Sequence, residues 1–149
     1  MKKFFMFLLL GGLLTTMPGQ AWAQSASDLI LLGNEAATME NYGQAIDYYT
    51  KAINANQLNA RQLAVAYNNR GCAYDDSGMD NQAMADFAKA IELDSGYDAP
   101  YFSRSFIYER QNELDKAIVD MEKAVSLDPG FEDFQLRLEW LYDQKQRQQ

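Results

Sequence analysis

The clearest pattern in the sequence is a recurrence of small and large apolar residues every 34 positions. The segment from Tyr67 to Tyr74 matches the segment from Tyr101 to Tyr108 in the sizes of its residues. The match continues without a gap, so that Gly71, Ala83, Phe87, Ala90 and Ile91 fall on Ser105, Ala117, Met121, Ala124 and Val125. An earlier copy, at a slightly longer offset, places Gly33, Ala45, Tyr49 and Ala52 at the same positions. A repeat of this length predicts an array of similar structural units.

Each copy is predicted to fold as two helices, because its apolar residues lie three and four apart. In the second copy the helices are expected over 64–76 and 81–93, with Gly78 in the turn between them. The sequences Asp-Ser-Gly at 94–96 and Asp-Pro-Gly at 128–130 predict the turns between copies. Asn59 followed by Gln62 is typical of a capping box, so the second copy is expected to begin its first helix one turn early.

Small residues at fixed positions predict where the two helices of a copy cross. With Gly71 and Ala83 at the crossing, the helix axes can approach to about 8–10 Å. Tyr67, Tyr74 and Phe87 are expected to fill the space around it.

These positions resemble the motif of the tetratricopeptide repeat family. The residues that carry the resemblance in the second and third copies are Tyr67, Gly71, Tyr74, Ala83, Phe87, Ala90, Tyr101, Ser105, Tyr108, Ala117, Met121, Ala124 and Pro129. The first copy matches more weakly and has no proline. The resemblance implies an all-α fold, a right-handed superhelix of three helical hairpins with a C-terminal capping helix. The repeats are expected at about 26–59, 64–97 and 98–131, within a domain at 24–149.

The capping helix is predicted at about 131–146. Its apolar face is expected to hold Phe131, Phe134, Leu138, Leu141 and Tyr142. Leu136 and Trp140, four apart in the chain, lie on a different face. Two interpretations of this pair remain open, partial burial and a second contact patch.

The resemblance also implies a concave face lined by the first helix of each copy. The candidate peptide-binding residues at its lining positions are Ile30, Leu31, Asn34, Asn68, Asn69, Cys72, Asp75, Phe102, Phe106 and Glu109. Asp76 is a third acid at a lining position. We expect the phenylalanines to anchor a peptide, the amides to bind its backbone and the acids to prefer a basic or neutral segment. The alternative is that the phenylalanines pack between hairpins.

One ligand known in this family, a free C-terminal carboxylate, is not expected here. The family's carboxylate clamp needs cations at three positions that hold Ile30, Ala99 and Ser103 in this sequence. Its two asparagines are matched by Asn34 and Asn69. Without the cations, a carboxylate would be poorly neutralised.

The N-terminus predicts export. Lys2 and Lys3 precede an apolar run, and Ala21-Trp22-Ala23 follows, so residues 1–23 are interpreted as a cleaved signal peptide. We expect a periplasmic protein, with secretion as the alternative and no membrane insertion after cleavage. The formal net charge is −8, which argues against nucleic acid as a partner.

Catalysis, metal binding and cofactors are not expected. The sequence contains no histidine, which excludes the common histidine-based triads and metal sites. Its single cysteine, Cys72, lies a turn from Asp75 and Asp76, which raise rather than lower a thiol pKa. The function predicted from sequence is therefore that of a scaffold or adaptor in the cell envelope that binds a protein or peptide partner. The alternative is a structural homo-oligomer that associates through residues 29–32 or the capping helix.

Overall fold

The computed structural model describes residues 25–148, and the expected signal peptide lies outside this range. The described chain forms seven helices and no strand. They are α1 (Ala26–Thr38), α2 (Tyr42–Asn54), α3 (Ala60–Asp76), α4 (Asp80–Leu93), α5 (Ala99–Arg110), α6 (Leu114–Leu127) and α7 (Glu132–Arg147). The prediction of an all-α fold built from three hairpins and a capping helix is confirmed.

Consecutive helices pack on one another along the whole array. The pairs α1/α2, α3/α4 and α5/α6 are the hairpins, and α7 packs on α6. The first helices of neighbouring hairpins also touch, α1 with α3 and α3 with α5. These contacts place the first helices on one side of the molecule. The first hairpin is formed despite its weaker sequence match.

Local sequence sets where the helices begin. The Asn59 side chain accepts a hydrogen bond from the backbone N–H of Gln62, and the Gln62 side chain accepts one from the N–H of Asn59. This reciprocal pairing satisfies two N–H groups that lack helical partners. It starts α3 at Ala60, one turn early, as the sequence predicts. Ser25 and Asp28 form the same arrangement at the start of α1.

The turn inside each hairpin contains one residue in the left-handed backbone region. These residues are Glu40, Gly78 and Asn112, with φ of 58°, 73° and 60°. Gly78 adopts this region without steric cost and Asn112 tolerates it, whereas a glutamate is strained there. The three positions are equivalent when the copies are aligned, so the turn geometry is common to all three hairpins.

The predicted small residues lie at the helix crossings. Ala45, Ala83 and Ala117 are fully buried. A Cβ added at Gly71 would lie 2.7 Å from Cε1 of Phe87, a distance that no real Cβ tolerates. The ring of Tyr49 faces Gly33 in the same way in the first hairpin. The aromatic ring fits at each crossing because the glycine opposite it has no side chain.

The buried face of α7 is narrower than its sequence predicts. Phe134 and Leu141 are buried, but Phe131 and Tyr142 are 44% and 41% exposed. Phe131 precedes the helix, and its ring lies edge-on to Phe134 with centroids 4.6 Å apart. The hydroxyl of Tyr142 donates a hydrogen bond to Glu122 of α6. Within the described chain α7 packs mainly on α6, so only a narrow stripe is covered.

Candidate functional site

The first helices of the hairpins, α1, α3 and α5, form with the capping helix α7 the surface on which the candidate residues lie. We call this surface the groove. Side-chain contacts cross it from helix to helix. Asn69 Nδ2 donates to Asn34 Oδ1 at 3.0 Å, and Cys72 Sγ lies 3.7 Å from Ser103 Oγ. The rings of Phe102 and Phe134 are 4.8 Å apart.

The three asparagines of the groove form one hydrogen-bonded cluster. Asn34 Oδ1 accepts from the Tyr49 hydroxyl at 2.8 Å as well as from Asn69. Asn68 is buried, and its Nδ2 lies 3.4 Å from both Asn69 Oδ1 and the Tyr97 hydroxyl. The structure thus leaves Asn34 and Asn69 facing the groove and places Asn68 in its wall.

The two apolar candidates on α1 differ in exposure. Ile30 is half-buried between α1 and α2, where it packs against the cores of the first hairpin. Leu31 is 65% exposed. Of the two, Leu31 offers the larger free apolar surface.

Cys72 borders a pocket between the first and second hairpins. This pocket has a volume of about 310 Å³, and its lining residues are Asn34, Ala37, Tyr49, Asn69, Cys72, Ala73 and Asp76. Burial raises the pKa of the Cys72 thiol, and the charges of Asp76 and Asp75 raise it further. A raised thiol pKa agrees with the sequence prediction, although burial is a larger cause than the two aspartates. The thiol therefore stays protonated and is a weak nucleophile.

The three groove acids, Asp75, Asp76 and Glu109, differ in their ion pairing. Asp75 is paired with Arg110, which also contacts Asp80 at 3.0 Å. Glu109 is paired with Arg137 of α7. Asp76 forms no ion pair within residues 25–148. Its pKa is raised, first by partial burial and then by the charge of Asp75.

Phe102 and Phe106 are held by α7. Their rings meet edge to face at 5.0 Å, and Phe102 also contacts Phe134. The guanidinium of Arg137 lies 4.5 Å from the centre of the Phe106 ring and 4.4 Å from that of Trp140. Both rings pack between helical units, yet they stay partly exposed, so their role as peptide anchors stays a prediction.

The free apolar surface at this end of the groove belongs to α7. Leu136 and Trp140 are 55% and 39% exposed. They lie one repeat length after Phe102 and Phe106, and Arg137 lies one repeat length after Ser103. Carrying the repeat register into the capping helix would have placed all three in the groove from sequence. The groove therefore extends over four helices.

Two buried ion pairs of the repeat were also missed by sequence reasoning. Arg70 pairs with Asp86, and Arg104 pairs with Asp120. Both arginines lie between two tyrosine rings. The repeat register that relates the pairs was the available signal. They join the two helices of a hairpin and are structural.

Models of known families identify the repeats. One tetratricopeptide repeat model matches residues 29–57 and 64–97, and a second matches 99–131. The chain belongs to the tetratricopeptide repeat (TPR) family.

Curated relatives match little more than half of this TPR chain. Sperm-associated antigen 1 of Mus musculus is 37% identical over 81 residues, which are 54% of the chain and 8% of that protein. Serine/threonine-protein phosphatase 5 of Rattus norvegicus is 32% identical over 88 residues, 59% of the chain and 17% of that protein. The TPR chain therefore spans less than a fifth of either relative.

A solved structure shows a similar domain with a peptide bound. It is the first TPR of Spaghetti (RPAP3) bound to the HSP90 peptide SRMEEVD. It superposes with a TM-score of 0.72 at 28% identity, over 80% of this chain and 92% of that one.

Between residues 25 and 148, no three metal-binding side chains converge. Across the same residues, no helix has both the length and the apolar character needed to cross a bilayer.

Proposed function

We propose that this TPR chain is a protein–protein interaction scaffold that holds a peptide segment of its partner in the groove. The observation that carries the proposal is the groove itself, a surface of amides, exposed apolar side chains and Asp76, an acid that forms no ion pair within residues 25–148. The similar RPAP3 domain is bound to a peptide. Binding without catalysis is supported by the absence of histidine and by the protonated state of Cys72.

The proposed ligand differs in charge from the peptide on the RPAP3 domain. That peptide, SRMEEVD, has three acidic residues and one arginine. The positions where the family's clamp carries cations hold Ile30, Ala99 and Ser103 here, and the chain has a net charge of −8. An acidic segment would meet repulsion on approach. A basic or neutral segment is the proposed partner.

The proposed location is the periplasm, as part of an envelope complex. The charged start, apolar run and Ala21-Trp22-Ala23 of residues 1–23 support export. A fusion of the full chain to alkaline phosphatase, which is active only after export, tests this. Activity that persists when residues 1–23 are deleted would contradict the location and leave the groove proposal standing.

Self-association is the second candidate function. It is favoured by Leu31 on α1 and by Leu136 and Trp140 on α7, which leave apolar surface at both ends of the array. Multi-angle light scattering distinguishes the candidates. A stable dimer that Trp140→Ala dissociates favours self-association, whereas a monomer at micromolar concentration rules it out.

Site-specific photo-crosslinking tests the groove directly. A photoreactive phenylalanine is placed at Leu136 in the groove, and in a control at Val119 on α6. These side chains are 55% and 62% exposed, so they match in accessibility. In cells that produce the protein, a discrete partner adduct is expected at Leu136 and not at Val119. The reverse pattern would contradict groove binding.

A further inference from the structure

The pocket between the first two hairpins has one ionised lining residue, Asp76. We propose that this pocket receives a lysine or arginine side chain of the bound segment, with Asp76 as its counter-ion. The inference rests on the proposed function and assigns a ligand group to one part of the groove.

Asp76 occupies an electrostatically unfavourable position. It is the last residue of α3, where the carboxyl end of a helix carries partial negative charge. Asp75 precedes it directly. No lysine or arginine within residues 25–148 forms an ion pair with it. A cation supplied from outside would relieve all of these unfavourable terms at once.

Two arginines of the neighbouring helices, Arg70 and Arg110, are already engaged. Arg70 on α3 is paired with Asp86, with Nε to Oδ2 at 2.7 Å, and it also donates to Thr50. Arg110 on α5 is shared by Asp75 and Asp80. The pocket thus lacks a cation to receive a carboxylate, although Asn34 and Asn69 occupy the clamp positions. Its charge is the reverse of a clamp.

The remaining walls suit a long basic side chain. Ala37 and Ala73 present methyl groups, against which the aliphatic stem of lysine or arginine can lie with its charged end at Asp76. Cys72 adds no second charge, because burial raises the pKa of its thiol. The pocket volume of about 310 Å³ is that of a side-chain pocket and small for a whole ligand.

Asn34 supplies a means of fixing the backbone of the segment. Its Oδ1 already accepts two hydrogen bonds, from Tyr49 and Asn69. Its Nδ2 donates to no acceptor within residues 25–148, and the residue is exposed. A peptide carbonyl beside the basic residue can accept this hydrogen bond. Recognition would then combine one backbone contact with one ion pair.

Peptide selection tests the inference. Random dodecapeptides displayed on phage are selected on the purified protein, and the best peptide is synthesised with an acetylated N-terminus. We expect a conserved lysine or arginine among selected sequences. Replacing it by norleucine or citrulline should weaken binding about tenfold. If acetylation alone abolishes binding, the pocket takes an N-terminal ammonium and the inference is wrong.

Two aspartate variants supply a matched comparison. Asp76→Asn should weaken binding of the selected peptide about tenfold. Asp75→Asn changes the adjacent acid, which Arg110 already neutralises, and should change binding less than twofold. Equal losses in the two variants would overturn the assignment to Asp76.

The outcomes separate this inference from the proposed function. Selected peptides that bind without a basic residue, and are insensitive to Asp76→Asn but lost with Trp140→Ala, would leave groove binding intact and refute the cation pocket. If no peptide is enriched, the proposed peptide-binding function itself fails.

Discussion

Arg70 and Asp86 form a two-pronged ion pair across the second hairpin, with Nε to Oδ2 at 2.7 Å and Nη2 to Oδ1 at 2.9 Å. Arg104 and Asp120 repeat it in the third hairpin at 2.7 and 2.8 Å. Each aspartate is nearly fully buried. The pairs join the first helix of a hairpin to its second at a fixed geometry.

Breaking one such pair should be costly. Asp86→Asn leaves the partly buried Arg70 charge without its carboxylate partner, and we expect a loss of about 3–5 kcal/mol in the free energy of unfolding. Urea unfolding followed by circular dichroism measures it. Glu92→Gln breaks the exposed Lys89–Glu92 pair and should cost less than about 1 kcal/mol. Similar losses in both variants would refute the structural role.

A methyl group added at the helix crossing of the second hairpin should destabilise the protein. Gly71→Ala places a Cβ against the ring of Phe87, and we expect a loss of roughly 1–3 kcal/mol in stability. Gly43→Ala is the control, because a Cβ there meets no neighbour within 4 Å. The control should be neutral or stabilising. A Gly71→Ala protein as stable as the control would show that the crossing is loose.

Relieving the strained turn of the first hairpin should stabilise the protein. Glu40 has a φ of 58°, so Glu40→Gly removes a steric cost and should add roughly 0.5–1 kcal/mol. Gly78→Ala introduces the same strain in the second hairpin and should remove about 1 kcal/mol. Thermal unfolding of the two variants should therefore shift in opposite directions.

Asp76→Asn should stabilise the free protein at neutral pH. The pKa of Asp76 is raised in the folded state, so its ionised form weakens folding as the pH rises through that pKa. Below the ordinary value of 3.8 both states are protonated and the benefit should vanish. Melting temperatures of the wild type and variant at pH 7 and pH 3 measure this. A variant that melts lower at pH 7 would contradict it.

Tyr49 should make folding sensitive to alkali. Burial raises its pKa from 10.0 to about 12. The unfolded chain loses this proton first, so stability should fall as the pH rises from about 10 towards 12. Tyr49→Phe cannot ionise, and its stability should fall less over this range. Parallel slopes for the two proteins would show that Tyr49 does not contribute.

Sequence predicted the framework of the fold because the framework depends on local spacing. Gly71 and Ala83 had to lie at a crossing, and Asn59 with Gln62 had to begin a helix. Each inference uses residues whose geometry is fixed by periodicity or by a single turn. All the residues needed for such a prediction lie within or next to a single repeat.

The candidate site was predicted less completely, because its properties depend on neighbouring repeats. Asp75 and Asp76 are indistinguishable in sequence, and only the position of Arg110 from the next hairpin neutralises one of them. Phe102 is covered by Phe134 from α7. From sequence, Arg70 and Arg104 resemble ordinary surface charges, because nothing local shows that each faces an aspartate on the second helix of its hairpin. These facts require the three-dimensional array.

The first hairpin lacks the ion pair of the other two, since Leu32 and Tyr48 occupy the positions equivalent to Arg70 and Asp86. Repeat arrays lose structure unit by unit, beginning where a unit is held least strongly. The amino-terminal third should therefore exchange its amide hydrogens fastest. Because that third forms one wall of the Asp76 pocket, a bound segment would also slow the opening of the weakest part of the molecule.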